Sequence, residues 1–480
     1  MRFTSILPFL LGALSIAAQD VHKRDDSFVT TQGGDFYVNG SVFNFIGTNA
    51  YWLPTLTEDK DIENTFSSMA AAGIKVVRTW AFNDVTEVPT SGIWFQLIAD
   101  GTTRINNGTD GLARLDKVVE VAQAHGIYLI FSLTNNWNPL PGDATVSRRD
   151  SITGNTLPRN YLSNDFGGMD AYVREFGTTK SHGEFYTDSS IVNTFNSYIT
   201  TVVSRYVDCP AVLAWEIGND PRCISSLPTG NCTPQIVTQW HSTVAQHIKS
   251  IDTNHIISSG SGGFFCTGCP KLFPAAATCG GPSDSGTNSS SWSAYNGSQG
   301  VDSEDILGIP EIGYSSFQMF TDQDTYGSGV ADPDIPQYNQ TLATGVNWIN
   351  QHAAAAAAYC KPSVATGFSL VTTGNAPNYV PFNAAEVGAI TGCVSDDQRD
   401  GAYGLWFGTA ISSKVNGMVQ YQWGQTGLTL TPASPSGLHT DLVLLDAEDT
   451  GDSPNDGSTT NGAGQSGLNA IMRTAAQGAD

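Results

Sequence analysis

Eight short runs rich in apolar and β-branched residues recur along the chain, and segments with helical spacing fall between them. The runs are "FIGTNAY" (Phe45–Tyr51), "KVVRTW" (Lys75–Trp80), "YLIFSLT" (Tyr128–Thr134) and "VLAWEIGN" (Val212–Asn219), followed by "HIISSGSG" (His255–Gly262), "SSFQMF" (Ser315–Phe320), "SVATGF" (Ser363–Phe368) and "GMVQYQW" (Gly417–Trp423). Near-continuous apolar character over so few residues is the pattern of strands buried on both faces. Between them, Leu112, Leu115, Val118, Val119 and Ala122 recur at helical spacing in "LARLDKVVEVAQAHG", which stops at Gly126. "SIVNTFNSYITTVVSRY" and "IVTQWHSTVAQHIKS" repeat that pattern, and the alanines of "NWINQHAAAAAAY" favour a helix. Eight strands alternating with helices predict an α/β fold, a (β/α)8 TIM barrel with long βα loops. A short β-hairpin, "DFYVNGSVFNF", precedes it, with its turn at Asn39-Gly40.

In such a barrel, functional residues lie just past the C-terminal ends of the strands. Those ends read Tyr51-Trp52, Arg78-Thr79-Trp80, Asn135-Asn136-Trp137, Asn219-Asp220, Ser261-Gly262, Gln318-Met319-Phe320, Gly367-Phe368 and Trp423-Gly424. The rim is aromatic and amide-rich, with one Arg and one carboxylate, as suits a groove for sugar rings. Two long loops, Asn138–Asn164 and Cys266–Gln299, are expected to shape it.

The two ends of the chain read differently. Arg2, the apolar stretch Ile6–Ile16 and the small Ala17-Ala18 predict a signal peptide over 1–18, and Lys23-Arg24 closes a candidate propeptide over 19–24. The barrel is then assigned to 25–449, and the acidic, Gly/Ser-rich 450–480 to a disordered tail. No run reaches the roughly 18 apolar residues of a membrane span, so a secreted, extracellular protein is expected, without an anchor and as a monomer. Secretion predicts disulfides and glycans. There are eight cysteines, and Asn-X-Ser/Thr sequons stand at Asn39, Asn107, Asn231, Asn288, Asn296 and Asn339. The close cysteines Cys223/Cys232 and Cys266/Cys269/Cys279, with Cys360 and Cys393 later, suggest local staples whose connectivity the sequence leaves open; a zinc site at Cys266-X-X-Cys269 is the weaker alternative, with no His nearby. Neither a metal nor another cofactor is expected. A net charge of −23 with 22 Lys and Arg excludes nucleic acid, which needs a basic footprint.

"VVRTWAFNDV", "LTNNW", "DFGGMDAYV", "AWEIGNDPRC", "GSQGVDSEDI" and "KPSVATGFS" resemble the fungal endo-β-1,4-mannanases of glycoside hydrolase family 5, over about Phe28 to Gly427. The resemblance implies a (β/α)8 barrel that hydrolyses β-1,4-mannosidic bonds with retention, using glutamates at the ends of strands four and seven. It further implies substrate contacts at Trp52, Arg78, Asn136, Trp137, Asn219, Gln318, Phe320, Tyr421 and Trp423. The strand-four acid/base position holds Asp220 and the strand-seven nucleophile position holds Gly367, where the family has Glu at both. Gln318 and Phe320 replace the family's His and Tyr on strand six, and Tyr421 its Trp on strand eight.

Retaining hydrolysis needs two carboxyl groups about 5–5.5 Å apart. Glu to Asp withdraws the carboxyl by roughly 1.5 Å, and a displacement near 1 Å can cost on the order of 100-fold. Gly367 has nothing with which to attack the anomeric carbon. Among other carboxylates, Glu216 lies deeper on its strand, Glu386 could reach in from the strand-seven loop, and Glu304, Asp305 and Glu311 precede strand six on an expected solvated surface. The leading expectation is therefore a pseudoenzyme that binds β-mannan or a related polysaccharide with lost or strongly reduced hydrolysis. The alternatives are an active endo-mannanase with a displaced nucleophile and a protein-binding decoy.

Overall fold

The computed structural model describes residues 28–140, 143, 163–275, 293–324, 326, 337–376, 393–429, 451–452, 457–458 and 462–479. Eight strands form a closed, all-parallel barrel: β1 (Phe45–Asn49), β2 (Val76–Trp80), β3 (Tyr128–Ser132), β4 (Val212–Glu216), β5 (Ile256–Ser258), β6 (Ile312–Met319), β7 (Ser363–Phe368) and β8 (Gly417–Gln420). Each pairs with its neighbour in sequence, and β8 closes on β1 through Gly417↔Phe45 to Gln420↔Thr48. Every expected run is a barrel strand.

A helix follows each strand: α1 (Asp59–Ala71), α2 (Leu112–Ala124), α3 (Ser189–Tyr206), α4 (Pro234–Ile251), α5 (Ser303–Leu307), α6 (Gln337–Ala358), α7 (Asp396–Ser413) and α8 (Gly462–Ala479). Local chemistry sets their ends. The Asp188 carboxylate accepts from Ser190 N and Ile191 N to cap α3. Ser395 and Gln398 form a reciprocal capping box on α7, and Gly126 leaves α2 with φ +68°.

The expected disordered tail is corrected by α8. Leu468 and Met472 are fully buried there, with Ala475 and Ala476 nearly so, and they join the main core cluster. Leu468, Ile471, Met472, Ala475 and Ala476 have i, i+3, i+4, i+7, i+8 spacing. The glycines around them lower intrinsic propensity, but packing on β1 and α7 supplies the stability.

At the N-terminal end, a three-stranded antiparallel sheet (Thr30–Gln32, Asp35–Val38, Ser41–Val42) turns at Asn39 and Gly40, φ +53° and +78°. Its Phe36 plugs the barrel bottom, edge-on to Tyr314 at 5.5 Å and clustered with Val76, Ile130, Leu213 and Val419. The barrel is thus packed solid below, and only its C-terminal mouth is free for chemistry. Cys223–Cys232 and Cys266–Cys269 are disulfides, so the second pair is a loop staple and not a zinc site.

A candidate sugar site at the barrel mouth

Below the mouth, a buried ion pair organises the strand ends. Arg78 at the end of β2 donates from Nη2 to Glu216 Oε1 at 2.5 Å and from Nε to Glu216 Oε2 at 3.0 Å. Its Nη1 reaches Asn49 Oδ1 at 3.0 Å, and Nη2 also reaches Asn219 Oδ1 at 2.8 Å. Arg78 is 2% exposed and Glu216 0%. Glu216 is the interior group expected from its depth on β4. Arg78 is corrected from a sugar contact to a strut, because its guanidinium is committed to protein acceptors. Asn219 is tied in turn to Asn135 Oδ1 by its own amide at 2.8 Å and receives Gln318 Nε2 at 2.9 Å.

One layer higher, Asp220 adopts φ +55°, a left-handed conformation that Asp tolerates better than most residues. Its Oδ2 accepts from Trp137 Nε1 at 2.9 Å and from Arg222 Nε at 3.0 Å, and also from Arg222 Nη2. Its Oδ1 is buried with no hydrogen-bond partner among the described residues and lies against Gly262, where a Cβ would come within 2.5 Å of it. The Arg222 guanidinium stacks 4.5 Å over Phe264 and 5.4 Å over Trp137, and its Nη1 donates to Gln299 at 2.8 Å. Charge-assisted bonds of this kind are short and directional, and they fix the carboxylate in place. Arg222 escaped the site reading, although its place two residues after Asp220 in a chain poor in Arg was a usable signal.

Gly367 on β7 pairs with Gln318 on β6. A Cβ built there would meet Phe320 Cζ at 3.7 Å, Asn49 Nδ2 at 3.9 Å and Gln318 Cγ at 3.9 Å, ordinary van der Waals distances. Space for a Cβ therefore exists at the strand-seven position, and the chain places none in it. Phe320 stands edge-on to Tyr421 at 5.8 Å, and Tyr421 lies over Tyr51 at 6.4 Å. Asn219, Gln318, Phe320 and Tyr421 are half-buried and line the open part of the mouth.

Four other expected contacts are corrected. Trp52 and Trp423 are each 1% exposed, and Trp52 Nε1 donates to Trp423 O at 3.2 Å, so they form a wall within the core and not open stacking platforms. Trp137, 9% exposed, supports Asp220 and Arg222. Asn136 is fully buried; its Oδ1 accepts from Arg222 N at 3.1 Å and lies 3.0 Å from His182 Nε2, while its amide donates to Ile224 O at 2.8 Å. It fixes the loop after β4. The solvated surface expected before β6 also fails: Asp305 is 1% exposed and accepts from Phe273 N at 2.7 Å, and Glu304 pairs with Lys271 at 3.0 Å. Glu386 and most of the Asn138–Asn164 loop lie outside the described residues.

Known proteins resemble this chain in sequence and fold. Residues 26–278 match the family model described as GH family 5 beta-mannosidase-like. Mannan endo-1,4-beta-mannosidase F of Aspergillus fumigatus is 32% identical over 409 residues, 85% of this chain and 73% of that protein. Mannan endo-1,4-beta-mannosidase A of Hypocrea jecorina is 33% identical over 354 residues, 74% of this chain but 65% of the relative. The crystal structure of the endo-1,4-beta-mannanase from Rhizomucor miehei superposes with a TM-score of 0.61 at 29% identity, covering 82% of this chain and 90% of that one.

Proposed function

The chain belongs to glycoside hydrolase family 5, among its β-mannosidase-like members, and from that premise we propose that it is a secreted β-mannan-binding protein with lost or strongly reduced hydrolysis. One observation carries the reading: the strand-seven position, with room for a Cβ, is Gly367. Without a carboxylate there, no glycosyl-enzyme ester can form. Water in the same space would still need a base to activate it.

The strand-four position supports the same conclusion. A general acid must hold a proton in the ground state and give it to the leaving oxygen. Arg222 and Trp137 together direct three donor groups at one oxygen of Asp220, so that oxygen is already engaged by protein donors. The half-buried Gln318, Asn219, Phe320 and Tyr421 keep the mixture of amides and rings that suits a glycan. Exposure of the sequon asparagines Asn39, Asn107, Asn231, Asn296 and Asn339 is compatible with glycosylation during secretion.

The competing reading, an active endo-mannanase, draws on the relatives' activity and would need Glu386 as displaced nucleophile. Two measurements on one sample separate them: retention on insoluble mannan and release of reducing sugar from soluble mannan. Retention without release is expected, since losing one member of a catalytic unit costs several orders of magnitude. Turnover within about tenfold of an active relative overturns the proposal, and Glu386→Gln should then abolish it. If mannan, glucomannan, cellulose, xylan and chitin all fail to retain the protein, the protein-binding decoy takes precedence.

A further inference from the structure

We propose that His182 is a positioning residue for the sugar site: it fixes the loop backbone that sets Arg222 and Trp137 against Asp220. This rests on the glycan-binding reading above. His182 belongs to a buried cluster behind the mouth. It precedes the short helix Glu184–Thr187, and Asp170 lies in the first turn of another, Met169–Phe176. Both residues are 0% exposed, and His182 Nδ1 is 2.6 Å from Asp170 Oδ1. Asp170 Oδ2 accepts from Ser225 Oγ at 2.8 Å, so the carboxyl group is held from both sides and fixes the imidazole ring.

The other ring nitrogen faces the loop after β4. Nε2 lies 3.0 Å from Arg222 O and 3.0 Å from Asn136 Oδ1. The Asn136 amide has a fixed orientation, because its Nδ2 donates to Ile224 O while its Oδ1 accepts from Arg222 N at 3.1 Å. Both oxygens can only accept, so the Nε2 that faces them carries a hydrogen. Tyr186 OH, 3.1 Å from Nε2, donates to Arg222 O at 2.9 Å. Burial pushes that hydroxyl well above its ordinary value of 10, so it stays a donor. The N–H and the carbonyl of Arg222 are thus both clamped by buried side chains. Buried backbone groups need partners. Without the clamp, the Arg222 carbonyl turns to find another donor and takes the root of its side chain with it. Asn136 also directly precedes Trp137. One junction therefore carries both residues that donate to Asp220 Oδ2.

The test measures β-1,4-mannohexaose affinity by titration calorimetry on the full chain. His182→Phe keeps ring volume and removes the donor; it should weaken binding about tenfold. His182→Gln places an amide N–H near the position of Nε2 and should stay within about threefold of the parent. In an Arg222→Ala background the His182→Phe loss should vanish, which a general defect of the fold would not do. Nitrogen NMR of histidine-labelled protein should show His182 Nε2 bonded to hydrogen, the signal being the one absent from His182→Gln. Undiminished binding by folded His182→Phe, an equal loss in His182→Gln, a loss that persists without Arg222, or a bare Nε2 each overturns the proposal and leaves the glycan reading standing. Where His182→Phe does not fold, Tyr186→Phe takes its place: a loss of about threefold, again confined to chains with Arg222, is expected, and no loss overturns the assignment. A parent that does not bind mannohexaose overturns the β-mannan reading and this proposal with it.

Discussion

At the scale of single residues, the mouth is held by two arginines with different tasks. Arg78 is a buried strut, and its partner Glu216 is 0% exposed. Removing one member of a buried pair strands the other charge, so Glu216→Ala should lower unfolding free energy by about 3–5 kcal/mol in denaturant titration. Arg222 instead governs Asp220. Trp137→Phe keeps a ring under its guanidinium but deletes the indole N–H, and should cost about 1 kcal/mol. That loss should disappear in an Asp220→Ala background, since the N–H then has no carboxylate to serve; a double-mutant cycle reads this coupling. Gly367→Glu should fold with a melting temperature close to the parent's, because the built Cβ has no contact under 3.7 Å. Combined with Asp220→Glu it should yield measurable release of reducing sugar from mannan.

At the scale of elements, α8 and α6 make separate predictions. Leu468 and Met472 seat α8 on the barrel, both at 0% exposure. Leu468→Ala should destabilise by about 2–5 kcal/mol, a loss that a disordered tail would not produce. On α6, His352 lies flat on Phe317 at 4.2 Å and on Phe265 at 4.9 Å, with Nε2 buried and without a hydrogen-bond partner among the described residues. Burial pushes its imidazole down to about 3 from 6.5. The unfolded chain then takes up the proton first, so the contribution is intact above pH 6.5 and is lost progressively as pH falls toward 3. Burial likewise pushes Asp322, after β6, up to about 6 from 3.8, with the opposite sign: the folded state binds the proton first, and stability falls as pH rises from 3.8 to 6. Melting temperatures between pH 4 and 7 should therefore lose acid sensitivity in His352→Leu and gain it in Asp322→Asn.

At the scale of the whole molecule, the barrel was legible in the sequence because buried parallel strands are apolar on both faces and the helices between them carry a one-sided stripe. Those are local signatures, and all eight strands obeyed them. That Asp220 and Gly367 stand at the ends of the fourth and seventh strands was equally legible, since residue identity needs no tertiary information. Which rim aromatics face solvent was not. Trp52, Trp423 and Trp137 sit past strand ends, where open platforms are expected, yet their exposure depends on what lies over them: Gly451 on Trp52, Arg222 on Trp137. The helical fate of the tail was written in Leu468, Ile471 and Met472 but obscured by glycines of low helix propensity, because its stability comes from contact with β1 and α7, hundreds of residues away. Periodicity and residue chemistry thus determined the fold and which residues stand at the strand ends. Burial, pairing and the covering of one surface by another were decided only by tertiary structure, because each depends on groups that are neighbours in space and not in sequence.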